Sequence, residues 1–332
     1  MPFHRKYRKI RACAAAICGL YMVYVMCVFR FDVTADIPTT HIRTTRTNRE
    51  RRHSFLFVGG PHFSGTTLIT MMFREMESVA TFELKNPSFR DRKTKDSWIV
   101  EEGQHLQDVF PTARTFGGPC RYAVRKENTR LTELDHLPRE TTLYDQWATK
   151  WDLRKPILLE KSPPHVMHSR WLQALFREHT SYFVFTMKHP LSIYERHCAF
   201  VSLETYLENW LSQMETLRED IPRLEHAYVI RYEDWLATER SATRTFETLK
   251  GNILNNEREE EHYEHYRRLQ YFHGQVGTIK PYVATFKPLS PSDALVRLYE
   301  SRLYPFGYSL TSRNLALDEN SENYAFHEYI VS

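Results

Sequence analysis

The stretch Phe55–Met72, FLFVGGPHFSGTTLITMM, constrains this chain more than any other. An apolar run ends in two glycines, crosses Pro61-His62-Phe63-Ser64, meets Gly65-Thr66-Thr67 and resumes with helical spacing. That order predicts a buried strand over 54–59, a tight loop, and a helix over Thr66–Met76. Gly60-x-x-x-x-Gly65-x-Thr67 is the frame of a phosphate-binding loop, except that Thr66 stands where the usual lysine does. The two glycines let successive backbone N–H groups turn inward, and the helix N-terminus adds partial positive charge. Ser64, Thr66 and Thr67 add hydroxyls. The missing lysine counts against an ATPase, a GTPase or a membrane-anchored nucleotide kinase, and a glycine-rich turn without a ligand is the bland alternative.

Further apolar runs follow at Ser78–Leu84, Pro156–Glu160, Tyr182–Met187 and His226–Arg231, all read as strands. Helical spacing covers His165–Glu178, Ile193–Val201 and Leu203–Arg218. Strands alternating with helices predict an α/β domain with a parallel sheet and functional loops at the strand C-termini. EREEEHYEHYRR (257–268) reads as a solvated helix face, and the polar, acidic tail 313–332 as a poorly packed terminus.

The charge is unevenly placed. Residues 1–53 hold eleven Lys/Arg against three Asp/Glu, whereas the remainder holds 34 against 38. That argues against nucleic-acid binding and moves attention to a membrane. Ala12–Phe29 is eighteen uncharged residues behind the basic tail 1–11, just long enough to cross a thin bilayer. The expectation is a single-pass type II protein: transmembrane signal anchor 12–29, Thr- and Arg-rich flexible stem 30–53, lumenal domain 54–312. A cleaved signal peptide has the same charge logic. Cys120 and Cys198 are the two cysteines outside the anchor, and either pair or stay as buried thiols. No metal-ligand spacing is present.

FVGGPHFSGTTL resembles the 5′-phosphosulfate loop of sulfotransferases that use 3′-phosphoadenosine 5′-phosphosulfate (PAPS), whose members carry variants of Pro-x-x-Ser/Thr-Gly-Thr-Thr after a first strand. Three more patches agree in order and spacing: LLEKSPPHVMHSRWLQALFREHTSYFVFTMKHPLSIYER, YVIRYEDW and LVRLYESRLYPFGY. The pattern is similar to that of membrane-anchored Golgi members of the tyrosylprotein and heparan N-sulfotransferase kind. The resemblance implies a P-loop, nucleotide-kinase-like parallel sheet flanked by helices. It also implies PAPS as co-substrate, no metal, and a glycan, protein or small-molecule acceptor. Gly60, Pro61, His62, Phe63, Ser64, Gly65, Thr66 and Thr67 would form the cradle, with Lys188 and Arg196 on the 3′-phosphate.

The sequence departs from that pattern at two places. Family members carry Lys or Arg directly before Ser/Thr-Gly-Thr-Thr; here it is Phe63, with His62 beside it as a substitute cation whose charge follows pH. Lys188 and Arg196 stand where the family has Arg and Ser. Lys161 is therefore the expected catalytic cation, its rival reading being a surface lysine paired with Glu160. The base is expected among Glu83, Glu102 and His105, which must approach the acceptor oxygen and be partly desolvated. The expected function is sulfuryl transfer in the Golgi lumen, and the alternative is a catalytically inactive protein of the same build.

Overall fold

A computed structural model of the chain describes residues 53–82, 102–254, 285–314 and 321–331. The expected anchor, the expected stem up to residue 52, Glu83 and the 257–268 run lie outside the described residues. Among those described, no helix is long and apolar enough to cross a membrane.

Five parallel strands form one sheet: β1 (Ser54–Gly59), β2 (Val79–Ala80), β3 (Ile157–Lys161), β4 (Ser181–Met187) and β5 (His226–Arg231), in the order β2-β3-β1-β4-β5. The α/β fold class read from the sequence is thus present. All residues of β3 and β4 are buried, as for strands covered on both faces. In β1 the alternation of side chains feeds two cores. Phe55 and Phe57 pack with Trp147, Leu172 and Phe176, while Leu56 and Val58 pack with Ile69, Phe73 and Phe246.

The helices are α1 (Thr66–Arg74), α2 (Leu143–Ala148), α3 (His165–Leu175), α4 (Pro190–Ile193), α5 (Leu203–Asp220), α6 (Tyr232–Trp235), α7 (Glu239–Ile253) and α8 (Ala294–Leu303). Side chains cap several of them: Ser202 accepts the Thr205 amide at 3.1 Å and Thr238 the Ser241 amide at 3.0 Å. Because β1 leads away toward β2 and β4 toward β5, their connections part on opposite sides. The crevice this leaves at the strand C-termini is where open α/β sheets take ligands.

The structure corrects three expectations. The second strand is only Val79–Ala80, because Thr81 and Phe82 already leave the sheet. The expected helix Ile193–Val201 is instead α4 followed by a π-turn, Tyr194–Cys198, whose wider winding is typical of functional sites. The tail is not loose throughout. Tyr324, Phe326 and Val331 are buried, and Val229 of β5 accepts the Val331 amide at 3.0 Å and donates to the Tyr329 carbonyl at 2.8 Å. β5 is an edge strand, and a few apolar side chains in a polar tail suffice to cover it.

Phe326→Ala should therefore cost about 3–5 kcal/mol of stability, the range for emptying a buried aromatic site. Equilibrium urea unfolding checks this; a loss under 1 kcal/mol contradicts the docking of the tail.

Candidate active site

The loop after β1 is shaped by two close approaches. A Cβ on Gly60 (φ +138°) would lie 2.2 Å from the Thr186 carbonyl oxygen, and one on Gly65 (φ +111°) 2.8 Å from the Tyr232 ring. Only glycine meets both demands. Ser64, fully buried, donates its hydroxyl to the Pro61 carbonyl at 2.6 Å and meets the Thr186 hydroxyl at 2.7 Å, pinning the loop to β4. The Gly60 amide donates to Pro163 O at 3.1 Å, pinning it to the turn after β3. The amides of Gly65, Thr66 and Thr67 have no acceptor among the described residues and stand at the start of α1. Thr66 is buried, and its carbonyl accepts the Thr70 hydroxyl at 2.9 Å.

Phe63 is the unusual member. It is a non-glycine residue at φ +68°, a left-handed conformation that costs about 1–2 kcal/mol. Its ring stacks on His197 with centroids 4.3 Å apart and planes 12° from parallel, and is 43% exposed. Aromatic stacking contributes on the order of 0.5–1.5 kcal/mol, comparable with the backbone cost. His197 sits in the π-turn, next to Cys198, which is joined to Cys120 in a disulfide across 78 residues of chain. Of the two readings of these cysteines, the structure shows the pair.

Around the loop lie two groups of charge. Lys161 ends β3 in register with Val58, and its Nζ is 2.8 Å from Glu102 Oε1. Glu102 Oε2 accepts Gln104 Nε2 at 2.5 Å and lies 3.9 Å from His105 Nε2. Burial opposes ionisation of Glu102, but Lys161, His62 and the hydrogen bonds of Lys161 and Gln104 outweigh it and hold the carboxyl below its usual range. Burial, with Arg114 and Lys161, keeps His105 low against the pull of Glu102, so at neutral pH it is an uncharged acceptor. His62 sets its ring edge on Tyr122, centroids 5.4 Å apart, and its Nδ1 is sealed without a hydrogen-bond partner. Burial pushes it down to about 4, with Glu102 opposing and Lys161 and His105 assisting. At neutral pH His62 is therefore a neutral imidazole. The substitute cation expected from the sequence is not what the free site holds; burial of the ring is the main cause, with Lys161 assisting.

The second group follows β4. Lys188 is buried, with Nζ 4.2 Å above the Tyr232 ring. Burial and nearby Arg196 lower its pKa while Glu233 raises it. Arg196, in the exposed π-turn, donates to Thr285 Oγ1 at 2.6 Å. The structure thus gathers Lys161, Glu102, His62 and His105 on the β3 side of the loop, and Lys188 and Arg196 on the β4 side. Glu83, the third candidate base, is outside the described residues. The rival reading of Lys161 is overturned: it is 4% exposed and pairs with Glu102, not Glu160. Sequence reasoning missed Gln104, Tyr122 and His197, none of which carries a signal in its local pattern; Tyr232 falls in the YVIRYEDW patch, but its ring was given no role there. Among the described residues no group of three or more His, Cys, Asp or Glu is arranged to hold a metal.

No family model matches the chain, and no curated protein matches it. Among solved structures, the sulfotransferase domain of the olefin synthase of Synechococcus PCC 7002 is similar at 14% identity. The alignment covers 77% of this chain and 94% of that one, with a TM-score of 0.42. Sulfotransferase STF1 from Mycobacterium tuberculosis H37Rv is similar at 13% identity over 68% and 72% of the two chains, with a TM-score of 0.39. Likeness this distant carries no weight beside the geometry.

His62 and the buried His168, held down at about 4 by burial, make stability depend on pH. The unfolded chain binds these protons near pH 6.5 and the folded chain refuses them until about 4, so stability should fall as pH drops through that window. His62→Gln should flatten the fall, as read by urea midpoints at pH 6.5 and 4.5; an unchanged slope contradicts the burial of this ring.

Proposed function

We propose that the chain is a sulfotransferase moving a sulfuryl group from PAPS to a hydroxyl or amine of a glycan, protein or small-molecule acceptor. The observation that carries this reading is the Lys161–Glu102 pair, 2.8 Å apart and largely buried beside an anion cradle with free amides. A cation for the transferring group and a carboxylate for the acceptor proton are the two things this chemistry needs, besides in-line placement. The donor supplies an activated sulfuryl group on a phosphate leaving group.

The residues present fit such a donor. The amides of Gly65, Thr66 and Thr67 and the start of α1 suit its 5′-phosphate, with Gly60, Pro61 and Ser64 shaping the turn. Lys188 and Arg196 suit a 3′-phosphate on the β4 side, Lys188 as a point charge and Arg196 as a fork. The sealed, unpartnered His62 Nδ1 is a polar atom that an anionic neighbour would satisfy. At rest Lys161 neutralises Glu102 and makes it a weak base. When Lys161 turns to an anionic ligand, that restraint is lifted and the buried Glu102 becomes a stronger base at the moment it is needed. His105, 3.9 Å from Glu102, lies close by but beyond hydrogen-bond reach.

The lumenal, Golgi-membrane setting is part of the proposal. It is supported by the basic tail and apolar run 12–29, and by the Cys120–Cys198 disulfide, which suits an oxidising compartment. The slightly acidic balance after residue 53 supports an acceptor other than nucleic acid. Phe63 favours a second reading, binding without transfer, because its ring lies on His197 and offers no charge to the leaving phosphate.

Transfer of labelled sulfate from PAPS to a panel of acceptors separates the readings. Lys161→Ala should lower turnover by on the order of 10²–10³-fold with little change in donor KM, whereas Lys188→Ala should mainly raise donor KM. Donor binding with no transfer to any acceptor supports the second reading; neither binding nor transfer contradicts both.

A further inference from the structure

Glu160 precedes Lys161 on β3, so the strand turns it to the opposite face, where it is completely buried. Its Oε1 accepts the Gly103 amide at 2.5 Å and the Ser162 hydroxyl at 2.7 Å. Ser162 Oγ in turn accepts the Gln104 amide at 2.9 Å. Glu160 Oε2 lies against Nε2 of His165, the first residue of α3. Gly103 is pressed so close that a Cβ there would lie 2.3 Å from Glu160 Oε1. The two amides that follow Glu102 in the chain thus both end on the Glu160–Ser162 unit.

We propose that Glu160 is a positioning residue: with Ser162 it clamps the Glu102-Gly103-Gln104 turn to the end of β3 and thereby sets the Glu102 carboxylate opposite Lys161. The clamp rests on the sulfotransferase reading only in taking Glu102 and Lys161 as the reacting pair. Lys161 and Glu160 are adjacent, so one strand end fixes both members of that pair, the cation directly and the carboxylate through its neighbours' amides. Burial pushes Glu160 up to about 8 and His165 well below its usual range, so both are neutral at pH 7. A neutral carboxyl suits these surroundings: Oε1 accepts two hydrogen bonds, and a proton on Oε2 would face His165 Nε2, which has no other partner among the described residues. Glutamine has the same donor and acceptor pattern, which distinguishes a neutral clamp from a charged one.

His105 reports where Glu102 sits, because Glu102 raises its pKa while burial, Arg114 and Lys161 lower it. The test follows the His105 Cε1–H resonance against pH in the full chain, with donor KM and turnover measured in parallel. Ser162→Ala, a small change in a site that stays packed, should move the His105 midpoint down in the direction of Glu102→Gln. The double variant should fall no further than Glu102→Gln alone. Glu160→Ala should act like Ser162→Ala, and Glu160→Gln should keep His105 at its wild-type midpoint. In turnover, Ser162→Ala should lose roughly tenfold or more with donor KM within about twofold, as expected for a misplaced group.

An unmoved His105 midpoint in folded Ser162→Ala overturns the proposal, and so does Glu160→Gln shifting it as far as Glu160→Ala. Should wild-type protein transfer no sulfate at all, the functional reading fails while the His105 readout still decides the clamp.

Discussion

The parallel pairing of β1 between β3 and β4 is the constraint on which the rest depends. It brings the loop of β1 out between two strand ends, and each of those ends delivers a lysine: Lys161 from β3 and Lys188 just past β4. A phosphate loop without its own lysine then sits between two lysines supplied by its neighbours. The loop can lie there because Gly60 passes the Thr186 carbonyl at a distance no side chain tolerates, and because Ser64 and the Gly60 amide tie it to both flanking strands. The fold supplies from neighbouring strands the charge that the loop sequence withholds.

The two cations are kept differently. Lys161 has a carboxylate partner at 2.8 Å, so the β3 side is close to neutral at rest. Lys188 shares its surroundings with Glu233 and Arg196; burial and Arg196 lower its pKa, and Glu233 raises it. Two cations this close would favour an incoming dianion, a physical reason for the proposed second phosphate to lie on the β4 side. Phe63 lies toward that side too, on His197, with the disulfide fixing the π-turn beneath it. Its ring is part of the wall and leaves the cradle to backbone amides.

Much of the fold is legible along the chain because β1, β3 and β4 are largely apolar runs, the mark of strands covered on both faces. The loop is legible because its glycines are required by backbone geometry. What is not legible is whatever depends on distant pairing. Lys161 and Glu102 are 59 residues apart, and nothing near either marks the other as its partner. Gly103 reads as an ordinary loop glycine until the buried Glu160 beside it is seen. His62 reads as a cationic imidazole, and only its burial against Tyr122 lowers its pKa to about 4. The docked tail was hidden by dilution, a few apolar residues in a polar run.

The central claim is that this site holds a nucleotide with phosphates on both its 5′ and 3′ positions. Calorimetric titration of the intact chain with adenosine 3′,5′-bisphosphate, beside adenosine 5′-phosphate and adenosine 5′-diphosphate, tests it directly. The bisphosphate should bind at least about tenfold more tightly than either of the others, since one charge-assisted phosphate contact contributes about 1.5–3 kcal/mol. Equal affinity for all three, or none for any, would contradict the account.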